Sequence, residues 1–450
     1  MRLAETQPTR HSWPAIVEAD DFGAVFADEL RGQINLDYAA TTPSLRAAAE
    51  AVLRVLPAYG SVHRGGGVRS RLTTEAYEEA RAAVGRFFDC GAEHVVVFAR
   101  NTTEAINLVA ASLPQQARIL CSPLEHHANL LPWREHDVTH LPFTSSPDAL
   151  VAAAADAFAA AACAGQPFDV LAVCGASNVT GEILPVSALA RLAHEHGARL
   201  LLDAAQLAPH RRVSARELDV DFLAVSGHKL YAPFGVGALI ARRSELDDAA
   251  PFLKGGGAVQ AVTFDDVVWA DLPHRLEAGT PNVLGAIALA AACDELASYG
   301  LETIAVEESH LAEQLWTGLE SLPGARVLRA WDSSERVGVA SFTLDGLEPR
   351  EVSAQLADDY GIAVRSGLFC AHPLVAHLLG TTPERCATLL GHARAGKDVV
   401  MPGALRASVG LGVEAGHVAR LVDALDEICY ERLSGKRGTP SSGIGSHSAA

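Results

Sequence analysis

Between Asn35 and Glu295 the chain alternates short, largely apolar runs with longer stretches of helical pattern, and this alternation narrows the fold more than any other feature. Val95–Phe98, Arg118–Cys121, Phe168–Cys174, Leu200–Leu202, Asp221–Val225 and Val236–Ile240 read as strands. Glu104–Leu113 and Val186–His196 read as helices, the second opened by Pro185 and closed by Gly197. Apolar strands interleaved with helices argue for an α/β domain built on a mostly parallel sheet. After about Gly300 the texture changes. Leu301–Leu322, Glu348–Asp359 and Val413–Arg432 read as helices, and Val337–Leu344, Gly361–Val364 and Ala404–Val409 as strands, which gives a smaller α+β domain. The expected organisation is an N-terminal segment over 1–34 packing with the small domain, a large domain over 35–295 and a small domain over 296–433. A Gly/Ser/Pro-rich tail over 434–450 is expected to be disordered.

A net charge of −18 argues against nucleic acid or an anionic membrane as the main partner, although a local pocket on an acidic protein can still be basic. Met1–Gln33 has no apolar stretch of signal-peptide type, and nothing resembles a membrane span, so a cytoplasmic location is expected. The eight cysteines show no CxxC spacing and read as reduced thiols, with no disulfide framework and no zinc site.

Ser226-Gly227-His228-Lys229 sets a lysine at the end of a buried strand, before Pro233 and Gly235. Desolvation there favours the neutral amine, which can form a Schiff base with a carbonyl. Asp203 closes the strand Leu200–Leu202. An isolated Asp is most often a helix cap, and a metal would need further ligands that the neighbouring sequence lacks. A counter-ion to a protonated pyridine explains it better, because the same sheet offers Lys229. Arg100-Asn101-Thr102-Thr103-Glu104 joins strand to helix and is either a capping box or an anion site. His126 and His127 are adjacent, so their side chains diverge and a shared metal is not expected. A flat imidazole stacked on a flat ring is the alternative role.

Taken in order, Asn35–Ala40, Val62–Gly65, Thr102–Asn107, Glu125–Asn129, Ser177–Gly181, Asp203–Gln206, Ser226–Tyr231, Glu277–Asn282 and Arg365–Pro373 carry a specific resemblance. The chain is similar to the class V branch of the fold-type I pyridoxal-phosphate enzymes, and within it to the Suf-type cysteine desulfurases and selenocysteine lyases. The resemblance implies a large domain with a mostly parallel seven-stranded sheet, a smaller α+β domain and pyridoxal 5'-phosphate as cofactor. It implies that Lys229 holds the cofactor and moves the Cα proton, Asp203 pairs with the pyridine nitrogen and Gln206 bonds the phenolic oxygen. His126 stacks on the ring, while Thr102, Thr103, Ser226 and His228 hold the phosphate. Thr280 reaches the phosphate of a neighbouring subunit, so a homodimer is expected. Asn178, Arg365 and His63 lie near an amino-acid substrate, and Arg406 clamps its carboxylate.

Cys370 occupies the position of the family's sulfur-accepting cysteine, in the loop after Gly367. A thiolate there takes the sulfur of cysteine as a persulfide, leaves alanine, and hands the sulfur to an acceptor protein or small thiol. Some features depart from the pattern. Leu368-Phe369 precede the cysteine where histidines are common, and Gly175-Ala176 stand ahead of Ser177-Asn178 where a histidine is common. The segment between Cys370 and Arg406 is long, and its extra residues, around Leu379–Pro402, are expected near the entrance as a lid, a partner surface or a specificity loop. The alternative reading is a C–S lyase or epimerase of the same family that works without a persulfide on Cys370.

Overall fold

The computed structural model describes residues 13–23, 27–332 and 334–433; the expected tail over 434–450 lies outside them. The large domain is built on seven strands: β1 (His94–Ala99), β2 (Arg118–Cys121), β3 (Asp137–His140), β4 (Val170–Cys174), β5 (Arg199–Asp203), β6 (Phe222–Ser226) and β7 (Gly237–Arg242). Their order across the sheet is β1-β7-β6-β5-β4-β2-β3. The ladders β6-β5-β4-β2-β3 are parallel, and β7 alone runs against both of its neighbours. Every residue of β4 and β6 is buried, which is why these strands read as unbroken apolar runs.

The six-residue strand β7 was legible in sequence, but its direction was not. Only about ten residues separate β6 from β7, too few for a parallel crossover, so the chain turns back through Gly227–Gly235. Strand β3 carries exposed polar residues, Asp137, Thr139 and His140, and edges the sheet.

The small domain holds an antiparallel sheet of β8 (Ala325–Leu328), β9 (Val339–Leu344), β10 (Arg365–Gly367) and β11 (Ala404–Ser408), in the order β8-β9-β11-β10. Helices Leu301–Ser321 and Ala415–Leu433 contact each other beside it. The N-terminal segment touches both parts. Trp13 stacks on Tyr299 with ring centroids 6.1 Å apart, Ile34–Asn35 pairs in parallel with Ile362–Ala363, and Arg46 N–H donates to Ala15 O at 2.8 Å. Among the described residues no single helix is long and apolar enough to cross a membrane. The bent pair Val283–Tyr299 and Leu301–Ser321 is apolar and long enough together, but ten of the seventeen residues of its first helix are buried inside the protein.

One buried ion pair pins the loop Glu277–Asn282 to the large domain. Glu277 accepts from Arg81 Nη1 at 2.6 Å, Arg81 Nη2 at 2.9 Å, Tyr77 Oη at 2.8 Å and Phe98 N at 2.7 Å. Their side chains are 6% (Glu277) and 11% (Arg81) exposed, so removing the guanidinium leaves an uncompensated carboxylate in a dry place. Arg81→Met is therefore expected to destabilise the protein by about 3–5 kcal/mol. A thermal melt of the variant would show this as a clear fall in midpoint, whereas an unchanged midpoint would mean that the pair contributes nothing.

Candidate active site

A cavity of about 680 Å³ lies at the carboxyl ends of the parallel strands, with residues of the small domain forming its other wall. Lys229 enters it from the turn Gly227–Lys229 directly after β6. Burial pulls its amine down to about 8, and only the attraction of Asp203 opposes this strongly, while Arg406 adds to the lowering. Asp203 ends β5, pairs in register with Ala224 of β6, and is buried. Its carboxyl is raised by desolvation, against the hydrogen bond from Ala205 N–H at 3.0 Å and the charge of Lys229. Parallel neighbours whose ladders stop at one edge thus bring an acid and an amine, distant in sequence, into one water-poor cleft.

His126 caps the turn His127–Asn129, its Nδ1 accepting from Ala128 N–H at 3.0 Å. Burial and then the charge of Lys229 hold its ring down to about 3, so the imidazole is neutral and carries its proton on Nε2. His228 is likewise held down to about 4, chiefly by burial. Behind His126, Glu125 is fully enclosed and accepts from Ser122 Oγ, Asn129 Nδ2 and Cys174 N at 2.5, 2.6 and 2.7 Å. Burial pushes its carboxyl up to about 8.

The loop Arg100–Glu104 caps a helix and is also a cavity wall. Asn101 Oδ1 accepts from Glu104 N–H at 3.0 Å, and Glu104 accepts from Arg100 N–H at 2.5 Å. Thr102 N–H donates to Ser226 Oγ at 2.8 Å, tying the start of the helix Thr102–Ser112 to the end of β6. Gly237 lets β7 pass behind this junction, because a Cβ there would lie 2.5 Å from Val225 O and 2.7 Å from Asn101 Cα. The result is a helix N-terminus flanked by Thr102, Thr103, Ser226 and His228, a cradle suited to a phosphate dianion. With Lys229 for an aldehyde, Asp203 for a ring nitrogen and a neutral His126 for a ring face, the residues fit pyridoxal phosphate. Gln206 also lines the cavity, and its Nε2 donates to Ala39 O at 2.6 Å.

The opposite wall carries Asn178, Arg365, Cys370 and Arg406. Arg406 is buried on β11, donates to Asn178 O and Asp37 Oδ1 at 3.0 Å each, and lies under the ring of Phe369 with its guanidinium carbon 5.0 Å from the centroid. Its Nε and the Oδ1 of Asn178 are buried without a partner, an unmet donor and acceptor in the wall of a cavity. Cys370 is an exposed free thiol. Phe369 and Cys370 both stand at left-handed φ, 51° and 53°, a costly conformation for side chains of this kind. Asn178 Nδ2 holds it through Phe369 O at 2.8 Å, and His127 N–H through Cys370 O at 2.7 Å. Cys370 also lines a second opening, shared with Thr103, His127 and Phe252, so this residue borders two clefts. The long segment after Cys370 forms the helix Pro383–Arg394, and Val399, Met401 and Gly403 of its return join the cavity wall.

His63 and Thr280 are not brought to this cavity within the chain. They line a separate cleft with Arg64 and His274. Among the described residues one group has metal-ligand spacing, His63 and His274 of this cleft with Glu78, whose ligand atoms lie within 4.8 Å of one another. Glu78 is already taken there by His63 Nε2 at 2.8 Å and Arg81 Nε at 2.9 Å, which accounts for the spacing without an ion. Sequence reasoning gave no role to Asp37, Glu125, Glu348 or Arg350. Asp37 and Glu125 lay inside quoted motifs, but their partners are set by the fold.

The geometry agrees with what the chain resembles. The family model for class-V aminotransferases matches residues 34–421. A probable cysteine desulfurase of Halalkalibacterium halodurans is 35% identical over 393 residues, covering 84% of this chain and 94% of the relative. A cysteine desulfurase of Dickeya dadantii is 38% identical over 345 residues, covering 74% and 81%. The apo structure of the cysteine desulfurase from Thermococcus onnurineus NA1 superposes with a TM-score of 0.77 at 31% identity, covering 90% of this chain and 96% of that one. The chain therefore belongs to the class-V aminotransferase family, with the fold-type I architecture of that family's cysteine desulfurases.

Proposed function

We propose that this protein is a pyridoxal-phosphate-dependent cysteine desulfurase, converting L-cysteine to L-alanine and passing sulfur through a persulfide on Cys370 to an acceptor. The observation that carries this is one cavity shared by a strand-end lysine, a buried aspartate, a buried arginine with a free Nε, and an exposed thiol. When bound, the cofactor supplies an electron-drawing ring that stabilises negative charge developing at the substrate Cα.

The chain's own residues do the rest. Asp203 keeps a proton on the ring nitrogen, and the desolvated amine of Lys229 anchors the cofactor and then moves the Cα proton. Arg406 takes the substrate carboxylate through its unmet Nε–H donor, with Asn178 beside it. Cys370 attacks as thiolate. An S–S bond forms to the substrate sulfur, the C–S bond breaks, and its electron pair stays on carbon, which picks up a proton and leaves as alanine. The carbon is reduced and the sulfur oxidised to the sulfane level, so the step needs no external redox partner. The second opening beside Cys370 supports release of that sulfur to an acceptor protein or small thiol without reopening the substrate side.

A homodimer belongs to the same reading. The cleft holding Thr280, His63 and Arg64 is separate from the Lys229 cavity within one chain, which suits residues that serve a neighbour. A cytoplasmic location is also part of it, supported by eight free thiols, four of them buried.

Apoprotein is expected to take up the aldehyde cofactor faster as pH rises, levelling off above about 8, where Lys229 is neutral. The carboxylate of Asp203 stabilises the protonated amine, so Asp203→Asn should move the midpoint of that pH profile downward. Cofactor absorbance followed during reconstitution reads both effects, and a midpoint that moves upward contradicts the arrangement. Cys370→Ser should retain cofactor absorbance yet lose alanine formation from L-cysteine on the order of 10³-fold. Undiminished turnover in that variant would replace the persulfide route with lyase chemistry.

A further inference from the structure

Glu125 stands one residue before His126, is buried, and has no task in the desulfurase mechanism. Local geometry settles where it points. His126 is extended, so the two side chains leave the backbone on opposite sides, His126 into the cavity and Glu125 into the protein. Three donors converge on Glu125. Its Oε1 accepts from Ser122 Oγ at 2.5 Å and from Cys174 N–H at 2.7 Å, and its Oε2 accepts from Asn129 Nδ2 at 2.6 Å. Ser122 and Asn129 are buried as well. The bonds from Cys174 and Asn129 hold in either protonation state, because a proton on Oε1 can be given to Ser122 Oγ while both N–H donors keep an acceptor.

These donors belong to different pieces of the site. Cys174 ends β4 and lies in direct register with Asp203 at the end of β5. Asn129 closes the turn His127–Asn129, its N–H donating to His126 O at 2.9 Å. The same turn carries His127, whose N–H donates to Cys370 O at 2.7 Å and whose Nε2 accepts from His372 N–H at 3.3 Å. One carboxyl group thus ties the strand end beside Asp203 to the turn that presents His126 and pins the backbone of Cys370. The left-handed conformation of Cys370, at φ 53°, persists only while its surroundings hold it, and the His127 N–H is one of the groups that do.

We propose that Glu125 is a positioning residue. It sets His126 and the Cys370 loop in register with Asp203, so that whatever is stacked by His126 and paired with Asp203 meets the thiol at a fixed distance. The proposal rests on the desulfurase reading for the tasks of those three residues, and on the observed hydrogen bonds for the link between them.

Glu125→Gln is the probe. With its oxygen toward Ser122 and Cys174, the new amide turns an NH2 against the NH2 of Asn129, donor against donor. Asn129→Asp in the same chain restores an acceptor there and leaves a second oxygen for Trp133 Nε1, which donates to Asn129 Oδ1 at 3.1 Å. The paired variant Glu125→Gln/Asn129→Asp therefore rebuilds the pattern with its polarity reversed. Hydrogen exchange of the apoprotein is the readout that needs no cofactor. Glu125→Gln should speed exchange in residues 122–131 and 366–374 by roughly tenfold, the scale of one unsatisfied buried donor, and leave the helix Leu301–Ser321 unchanged. In the holoenzyme, kcat for alanine formation from L-cysteine should fall by roughly 10- to 100-fold, the cost of a small misplacement of reacting groups. KM should stay within about twofold, since Arg406 is held by Asn178 and Asp37, away from Glu125. Visible circular dichroism of the bound cofactor should change with kcat. The paired variant should return exchange and kcat to within about threefold of wild type. A residue that only supported the fold would lower the melting midpoint and speed exchange throughout, with kcat per folded molecule and the cofactor signal unchanged, and that outcome overturns the proposal. So does a paired variant that recovers neither exchange nor kcat. If Glu125→Gln does not fold, the paired variant decides, since it must fold and keep wild-type exchange in both segments. If wild type binds no cofactor or forms no alanine, the desulfurase reading fails, while Glu125 is still judged by exchange. Faster exchange confined to the two segments upholds the link, and a uniform change or none overturns it.

Discussion

The structure turns on an amine and a carboxylate held together in a place from which water is largely removed. Lys229 and Asp203 come from the ends of adjacent parallel strands, Asp203 buried and Lys229 half-buried, so neither charge has a full solvent shell. Desolvation pushes both groups toward neutrality, while their mutual attraction pulls both toward the charged pair. The outcome is an amine poised near the pH at which it must act. Everything around it preserves that condition. The apolar core under β4, β5 and β6 keeps the strands rigid, and Gly237 admits β7 close behind the helix N-terminus. Neutral His126 closes one side without adding a charge.

The second wall solves a different problem, which is to face a charged substrate with a set of groups that would otherwise repel one another. Arg365 and Arg406 stand opposite each other on antiparallel strands, and like charges in that register destabilise a sheet. Asp37 between them relieves this, and the ring of Phe369 lies over the guanidinium of Arg406. The same β10 runs directly into the left-handed residues Phe369 and Cys370, so carboxylate recognition and the thiol are mounted on one short piece of chain. Strain at Cys370 is tolerated because Asn178 and His127, from the large domain, hold its loop by two backbone carbonyls. Leu368 and Phe369 have a physical role in packing against the core, and Phe369 also lies over Arg406.

Much of this was legible in the sequence, and the reasons are local. Lys229 and Asp203 announce themselves because a long apolar run that stops at a charged residue has few physical explanations. The helix start at Thr102 is visible from its capping pattern, and the cap is present in the structure. The direction of β7, the partners of Glu277 and the partners of Asp37 were not legible. Asp37 meets Arg406 across 369 positions of chain, and Glu277 meets Arg81 across 196. No periodicity or spacing rule reaches so far. The long segment before Arg406 was visible as extra length, yet only the folded chain shows that Val399 and Met401, and not the helix Pro383–Arg394, reach the cavity.

The sequence by itself determined which elements form and which residue types stand at their ends, because hydrophobic period, capping and turn chemistry act within a few residues. Tertiary structure alone decided the charge balance. Whether a guanidinium is free or cancelled, and whether an amine is hydrated or dry, depends on what distant chain is folded against it. Electrostatic energy in a low-dielectric cleft is set by ångströms in space and is blind to separation along the chain.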